Sequence, residues 1–205
     1  PPDDVLVMTS PIATMVRRWT EENGERAFAT GARTSSVITY SDLDKRIKSD
    51  YDVVGEGQCV ALALSDPVEF AAELVRTLAH GRWVAPLDPS LGLPDPGRLL
   101  DRARSLGCAA LVHDGGVSAL EEALLRDPSG GIVLASSGTT GTPKVMGLAI
   151  DQLLNAATLI ARHNELTSDD RGFNPLPLFH INAEVVGVLA SLTAGAGLIL
   201  DDRFH

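Results

Sequence analysis

The chain has 205 residues, of which 17 are basic and 27 acidic, so its formal net charge is −10. Nucleic-acid binding needs a basic surface, so this acidic balance argues against a nucleic-acid partner. It excludes no class of enzyme. Hydrophobic residues make up 44% and charged residues 21% of the chain, which is typical of a globular α/β protein with a core of its own.

The cysteines and the apolar stretches indicate the cellular compartment of the protein. Cys59 lies in one apolar run and Cys108 precedes another, which predicts reduced, buried thiols. No Cys/His cluster has ligand spacing, so no metal site is predicted. The segment Pro1–Asp4 lacks a basic signal-peptide region, and glycines break the apolar stretch 185–200, so no membrane span is predicted. Together these features predict a cytoplasmic protein.

Apolar periodicity predicts alternating helices and strands. Ile12, Met15, Val16 and Trp19 have helical spacing, and the continuous run Cys59–Leu64 is typical of a buried parallel strand. In chain order the pattern predicts helix 12–22, strand 37–40, a helix capped by Ser41 and Asp42 and ending near Ser49, strand 59–64, helix 67–79, strand 84–85, helix 96–106, strand 109–112, helix 117–125, strands 132–135 and 145–149, helix 151–164, strand 172–174, helix 182–194 and strand 198–200.

This alternation predicts the α/β class, with a mostly parallel sheet flanked by helices on both faces. The chain, 1–205, can be divided into an N-terminal segment 1–58 and a sheet core 59–205. Ligands of such sheets bind at the carboxyl ends of the strands.

A loop rich in hydroxyl side chains follows strand 132–135, where such a site is expected. It consists of Ser136, Ser137, Gly138, Thr139, Thr140, Gly141, Thr142, Pro143 and Lys144. Hydroxyls, backbone N–H groups and an ammonium suit a polyphosphate, and glycines let the backbone approach it closely. An ordinary surface turn is the alternative. A strand follows Lys144, which predicts a hairpin-like loop and not the strand-to-helix turn of the P-loop nucleotide triphosphatases.

The loop resembles the phosphate-binding signature [TS]-S-G-T-T-G-x-P-K-G of the adenylate-forming superfamily. Members include acyl- and aryl-CoA ligases, peptide synthetase adenylation domains and luciferases. Three further segments agree in order: Ile38–Leu43 resembles T-Y-x-E-L, Ala79–Pro89 resembles A-G-a-x-x-v-P-l-d-P, and Pro177–Asn182 resembles the P-L-F-H motif of the CoA-ligase branch. The resemblance covers nearly the whole chain and implies the N-terminal portion of an AMP-binding domain.

The resemblance implies ATP-dependent activation of a carboxylic acid, with Mg²⁺, and transfer of the acyl group to CoA. A carrier-protein thiol stays open as the acceptor, although the Phe179-His180 pair favours the CoA branch. Implied roles are catalysis for His180 and Lys144; phosphate binding for Ser136, Ser137, Gly138, Thr139, Thr140, Gly141 and Lys144; and an acid pocket formed by Phe179, His180 and Asn182. Outside this motif a histidine beside apolar residues is more often structural.

The chain departs from the family pattern in several places. Val145 replaces a glycine, Ile150 a frequent histidine, and Gln58 an aspartate, while Ala183 and Glu184 stand where a glycine is common. The Y-G-x-T-E segment, the ribose-binding aspartate and the C-terminal domain with its lysine are absent, so the chain is expected to be a truncated portion with little activity alone. Two alternatives stay open: a degenerate ligase that forms only the thioester from a supplied acyl-adenylate, and a non-catalytic acyl-binding or assembly module.

Overall fold

The computed structural model describes residues 10–49, 53–121, 123–124, 128–136 and 144–201. Its helices are α1 (Pro11–Asn23), α2 (Tyr40–Ile47), α3 (Pro67–Ala79), α4 (Gly97–Ser105), α5 (Ile150–His163) and α6 (Ala190–Ala194), with a 3₁₀-helix Pro89–Gly92 and a π-helix Ala183–Leu189. Its strands are β1 (Ala27–Gly31), β2 (Val37–Thr39), β3 (Cys59–Ala63), β4 (Trp83–Pro86), β5 (Cys108–His113), β6 (Gly116–Ala119), β7 (Gly131–Ser136), β8 (Lys144–Ala149), β9 (Arg171–Asn174) and β10 (Gly197–Leu200).

These strands form two sheets where the sequence predicts one. The first has the order β2-β1-β10-β9 and the second the order β6-β5-β3-β4-β7-β8. Strand β1 runs parallel to β10, and β3 runs parallel to both β4 and β5, while β2, β6 and β8 add antiparallel edges. The predicted α/β class with mostly parallel pairing and flanking helices is confirmed. The proposed division at residue 58 places β1 and β2 in a different segment from β9 and β10, with which they share a sheet.

Strand β3 is apolar on both faces because helices cover both. Val60 and Leu62 belong to one hydrophobic cluster, with α3, and Cys59, Ala61 and Ala63 belong to the other, with α4. Helix α3 contacts β3 and β4 of one sheet and β1 and β2 of the other, which explains its nearly complete burial. The sequence of β3 is continuously apolar because the strand is buried between two layers of helices.

The two cysteines occupy paired positions on neighbouring strands. Cys59 of β3 lies opposite Cys108 of β5, both are buried, and their Sγ atoms are 3.5 Å apart without a disulfide. The prediction of buried thiols is confirmed. No helix in the described part of the chain has the length and apolar character needed to cross a membrane.

Two strands, β6 and β1, differ from the sequence-based prediction. The predicted helix 117–125 begins instead as strand β6, which pairs antiparallel with β5. A two-residue Asp114-Gly115 turn joins these strands, which is a strong hairpin signal that outweighs the local helical spacing. Strand β1 was not predicted, because its sequence Ala-Phe-Ala-Thr-Gly has low β propensity and is held by pairing to β10.

Helix α2 begins one residue before the predicted cap. Thr39, and not Ser41 or Asp42, is the N-cap: its hydroxyl accepts a hydrogen bond from the Asp42 N–H at 3.1 Å. The Asp42 carboxylate accepts in return from the Thr39 hydroxyl at 2.7 Å, and hydrogen bonds from Thr39 lower the pKa of Asp42. The next residue, Tyr40, is buried and donates its hydroxyl to the Ala196 carbonyl at 3.0 Å. The Thr-Tyr motif is thus a structural element that ties α2 to the start of β10.

Replacing the cap should lower stability. We expect Thr39→Ala to reduce the free energy of unfolding by about 1 kcal/mol, since the first turn of α2 loses its side-chain acceptor. Ser41→Ala is the matched control, and its effect should stay within about 0.5 kcal/mol. Urea denaturation of both variants measures the difference, and equal effects would contradict the assignment of Thr39 as the cap.

Candidate active site

The predicted phosphate loop connects the two strands of a hairpin. Strands β7 and β8 pair antiparallel along their whole length, from Gly131 opposite Ala149 to Ser136 opposite Lys144. The prediction of a loop between two strands is therefore confirmed. Ser137, Gly138, Thr139, Thr140 and Gly141 lie outside the described residues, and only the backbone of Ser136 and Lys144 is described.

Packing against β4 holds the hairpin in place. Strand β7 runs parallel to β4, and the Trp83 side chain of β4 covers Gly147 of β8. A Cβ atom at Gly147 would lie 2.8 Å from the Trp83 ring, so a larger residue would displace β8. Because β4 and β7 are parallel, the loop begins at the edge of the sheet where β4 also ends.

A cavity of about 620 Å³ lies at this edge. Small-molecule sites commonly have volumes of about 300–1,000 Å³. The described residues that line it come from the end of β4, α4, the β7–β8 hairpin and the segment before the π-helix: Pro86, Leu87, Arg102, Leu106, Val133, Leu134, Ala135, Val145, Met146, Phe179, His180 and Ile181. Ala135 and Val145 each adjoin an end of the phosphate loop. The cavity therefore joins the base of this loop to the Phe179-His180 pair.

A short turn after β9 presents Phe179 and His180 to the cavity. The Asn174 side chain, buried at the end of β9, accepts from the Leu176 N–H at 3.2 Å and donates to the Leu176 carbonyl at 3.1 Å. The His180 ring is exposed and lies 4.6 Å, centroid to centroid, from the half-buried Phe179 ring. An imidazole in this position can donate or accept a proton at the cavity.

The sequence-predicted pocket residues do not all meet. Phe179 and His180 line the cavity, whereas Asn182 is exposed and is not among the described lining residues. Sequence reasoning missed Arg102, which shares the cavity with Leu106 one helical turn later. Leu99, Ala103 and Leu106 form the buried face of α4 and Arg102 lies beside it, but the sequence alone does not distinguish it from an ordinary surface arginine.

Glu184, near the start of the π-helix, is a fully buried carboxyl group. Neither of its carboxylate oxygens has a hydrogen-bond partner in the described part of the chain. Burial raises the pKa of this carboxyl well above its ordinary value, because the charged form loses its hydration. π-Helical turns are frequent near functional sites, and this one begins three residues after His180.

Glu184 should make stability depend on pH. The unfolded carboxyl ionises near pH 4.3, whereas the folded carboxyl holds its proton to higher pH, so its stabilising contribution is lost as pH rises between the two pKa values. We expect the difference in free energy of unfolding, Glu184→Gln minus wild type, to grow with pH by about 1.4 kcal/mol per unit and then to level off. Urea titrations from pH 4 to 8 measure this difference.

Glu21→Gln removes an exposed carboxyl from α1 and is the control. Its difference from wild type should stay close to constant across the same pH range. A flat difference for Glu184→Gln as well would show that the buried carboxyl has no raised pKa.

The C-terminal part of the chain matches a known family model. Residues 127–205 match the family model for the AMP-binding enzyme. This matched segment includes 79 of the 205 residues. The match covers the phosphate loop and the Phe179-His180 pair, and the resemblance to adenylate-forming enzymes is thereby confirmed.

Known CoA ligases are similar to this chain over longer or overlapping stretches. A CoA ligase from Gibberella moniliformis is 28% identical over 209 residues, which cover 87% of this chain and 34% of that protein. An oxalate–CoA ligase from Arabidopsis thaliana is 33% identical over 102 residues, which cover 50% of this chain and 20% of that protein. The chain thus spans about a third of the length of the fungal relative.

A solved structure has the same fold. The o-succinylbenzoate CoA synthetase from Bacillus subtilis, in complex with its acyl-adenylate intermediate, superposes with a TM-score of 0.71 at 18% identity. The match covers 93% of this chain and 56% of that one. This chain therefore has the fold of the N-terminal portion of the large domain of such enzymes.

Proposed function

We propose that this chain forms the N-terminal part of an acid–CoA ligase that activates a carboxylic acid with ATP. One observation carries the proposal: the base of the phosphate loop and the Phe179-His180 pair line the same cavity. A phosphate-binding loop and an acyl-positioning histidine must face one space for carboxylate and nucleotide to react. The CoA-ligase relatives and the AMP-binding match support this class of chemistry.

In the proposed reaction a carboxylate oxygen attacks the α-phosphorus of ATP and pyrophosphate leaves. The thiol of CoA then attacks the acyl carbonyl, AMP leaves with the electron pair of the acyl–oxygen bond, and the thiol proton is released. A carrier-protein thiol would follow the same course. Lys144 and the hydroxyls of the loop, Ser136 to Thr140, would neutralise and orient the phosphates. His180 would hold the acyl carboxylate for in-line attack.

Magnesium enters the proposal through the nucleotide. In the described part of the chain, no group of three or more His, Cys, Asp or Glu side chains is placed to hold a metal ion. The donor set of the loop is hydroxyl and ammonium, which fits phosphate oxygens better than a divalent cation. Mg²⁺ would therefore be bound by the phosphates of ATP, where it supplies charge neutralisation.

The sequence departures beside the loop fit the fold. Val145, in place of the family's glycine, pairs in register with Ala135 and has no positive φ angle. Ile150 is buried at the start of α5, so an apolar side chain has a packing role there. The β7–β8 register is continuous through Val145 and up to the residue before Ile150, which supports retained adenylation over the thioester-only alternative.

Substitutions of the two proposed catalytic residues should slow adenylation. We expect Lys144→Ala to reduce acid-dependent ATP–pyrophosphate exchange by about 10- to 100-fold, since one charge-assisted contact to the phosphates is lost. His180→Ala should reduce exchange and also raise KM for the acid. The assay uses the longest natural protein that contains this chain.

Lys48→Ala is the matched control, because Lys48 is 61% exposed and pairs with Asp44 on the surface of α2. Its exchange rate should equal that of the wild type. If the wild-type protein converts a supplied acyl-adenylate to thioester but never catalyses exchange, the thioester-only alternative replaces the proposal. Absence of both reactions, with no ATP-dependent shift in thermal stability, would favour a non-catalytic module.

The isolated 205-residue chain should show little or no exchange. In the proposal the chain supplies only part of the nucleotide site, and the loss of a single preorganised transition-state contact already costs about 100- to 1,000-fold in rate. The same isotope-exchange assay on the chain alone measures this. Exchange at a rate close to that of the longer protein would contradict the proposed division of the site.

A further inference from the structure

Among the described residues that line the cavity, Arg102 is the one with a permanent positive charge. Arg102 lines it from α4, its side chain is half-buried, and no hydrogen bond or ion pair joins its guanidinium to another described residue. Arg104, on the same helix, instead pairs with Asp101 at 3.2 Å, and both of those side chains are mostly exposed. The two arginines therefore have different roles although they lie two positions apart.

The surroundings of Arg102 lack a compensating charge. Apart from Arg102 and His180, every described lining residue is apolar, and none is acidic, although the chain as a whole carries a net charge of −10. A guanidinium beside an apolar wall loses part of its hydration and gains most from a planar oxyanion, which it can bind with two hydrogen bonds. The cavity is thus suited to bind an anion at Arg102.

The two polar side chains come from separate elements. Arg102 belongs to α4, which packs on the six-stranded sheet, and His180 follows β9 of the other sheet. Apolar residues such as Leu106, Val133 and Ile181 form the remaining wall. A molecule with an oxyanion at Arg102, a hydrogen-bonding oxygen at His180 and an apolar middle would match these groups.

We propose that Arg102 binds a second anionic group of the acyl substrate, so that the preferred acids are dicarboxylates or acids with a comparable distal oxyanion. This inference rests on the proposed function: the carboxylate that reacts lies at His180, and the distal one lies at Arg102. Arg102 is a specificity-determining residue in this scheme and takes no part in the chemical steps.

Equilibrium binding tests the inference without turnover. The probes are two matched pairs, succinate with butyrate and adipate with hexanoate, titrated calorimetrically into the longest natural protein that contains this chain. Wild type should bind at least one dicarboxylate about tenfold or more tightly than its monocarboxylate partner, as expected for one charge-assisted ionic contact. Arg102→Leu should abolish this preference, and Arg102→Lys should restore part of it.

Arg104→Leu is the control and should leave the preference unchanged, because Arg104 is paired on the surface of the same helix. Equal binding of both members of each pair by wild type would overturn the inference. So would a preference that Arg102→Leu leaves intact. If Arg102→Leu raises KM only for CoA or ATP, the guanidinium binds a phosphate and the inference fails.

The outcomes separate this inference from the proposed function. A dicarboxylate preference that depends on Arg102, together with no acid-dependent ATP–pyrophosphate exchange, would leave the anion site standing and remove the ligase proposal. If exchange proceeds equally with both members of each pair, in wild type and in Arg102→Leu, the ligase proposal stands and the anion site at Arg102 is overturned.

Discussion

The site depends on the burial of the six-stranded sheet between helices on both faces. Helix α3 covers one face and α4 the other, so β3 can be apolar on both sides, and these helices lie in the crossover connections through which β4 and β5 run parallel to β3. Parallel pairing brings the carboxyl ends of β4 and β7 to one edge. The two ends of the predicted phosphate loop and the cavity lie at this edge because of that constraint.

The second sheet completes the cavity from the other side. Its strand β9 ends at Asn174, whose side chain hydrogen-bonds both backbone groups of Leu176 and so starts the turn to Phe179 and His180. Helix α3 contacts both sheets, and a change in its packing would therefore alter the relation between loop and histidine. The cavity is formed by two sheets, and neither alone brings its polar groups together.

Much of this architecture could be predicted because it depends on local pattern. Three elements could be predicted from the residues that form them: the buried strand in the apolar run Cys59–Leu64, the start of α3 at a proline, and the strand that follows the loop at Lys144. Strand β1 could not be predicted, since only its pairing with β10, far along the chain, makes it a strand. Strand β6 could have been predicted, because the sequence contains the Asp114-Gly115 turn, a strong hairpin signal.

The site divides in the same way. The hydroxyl-rich loop and the Phe179-His180 pair follow from motif chemistry, which needs particular residue types at fixed spacing. Arg102 and Glu184 carry no such signature, because an arginine on a helix and a glutamate near a helix start are common on surfaces. Only the packing shows that one lines a cavity and that the other is buried without a described partner.

The pairing of β1 with β10 has a consequence for how the molecule forms. Ala29 lies opposite Leu198, 169 positions further along the chain, so β1 can pair with β10 only after the residues between these two positions have been synthesised. Contacts of such sequence separation slow folding, since the loop must close before the contact stabilises anything. Until then the β1–β2 hairpin has an open edge, and nascent chains that stall before residue 197 should recruit chaperones more than chains that already contain β10.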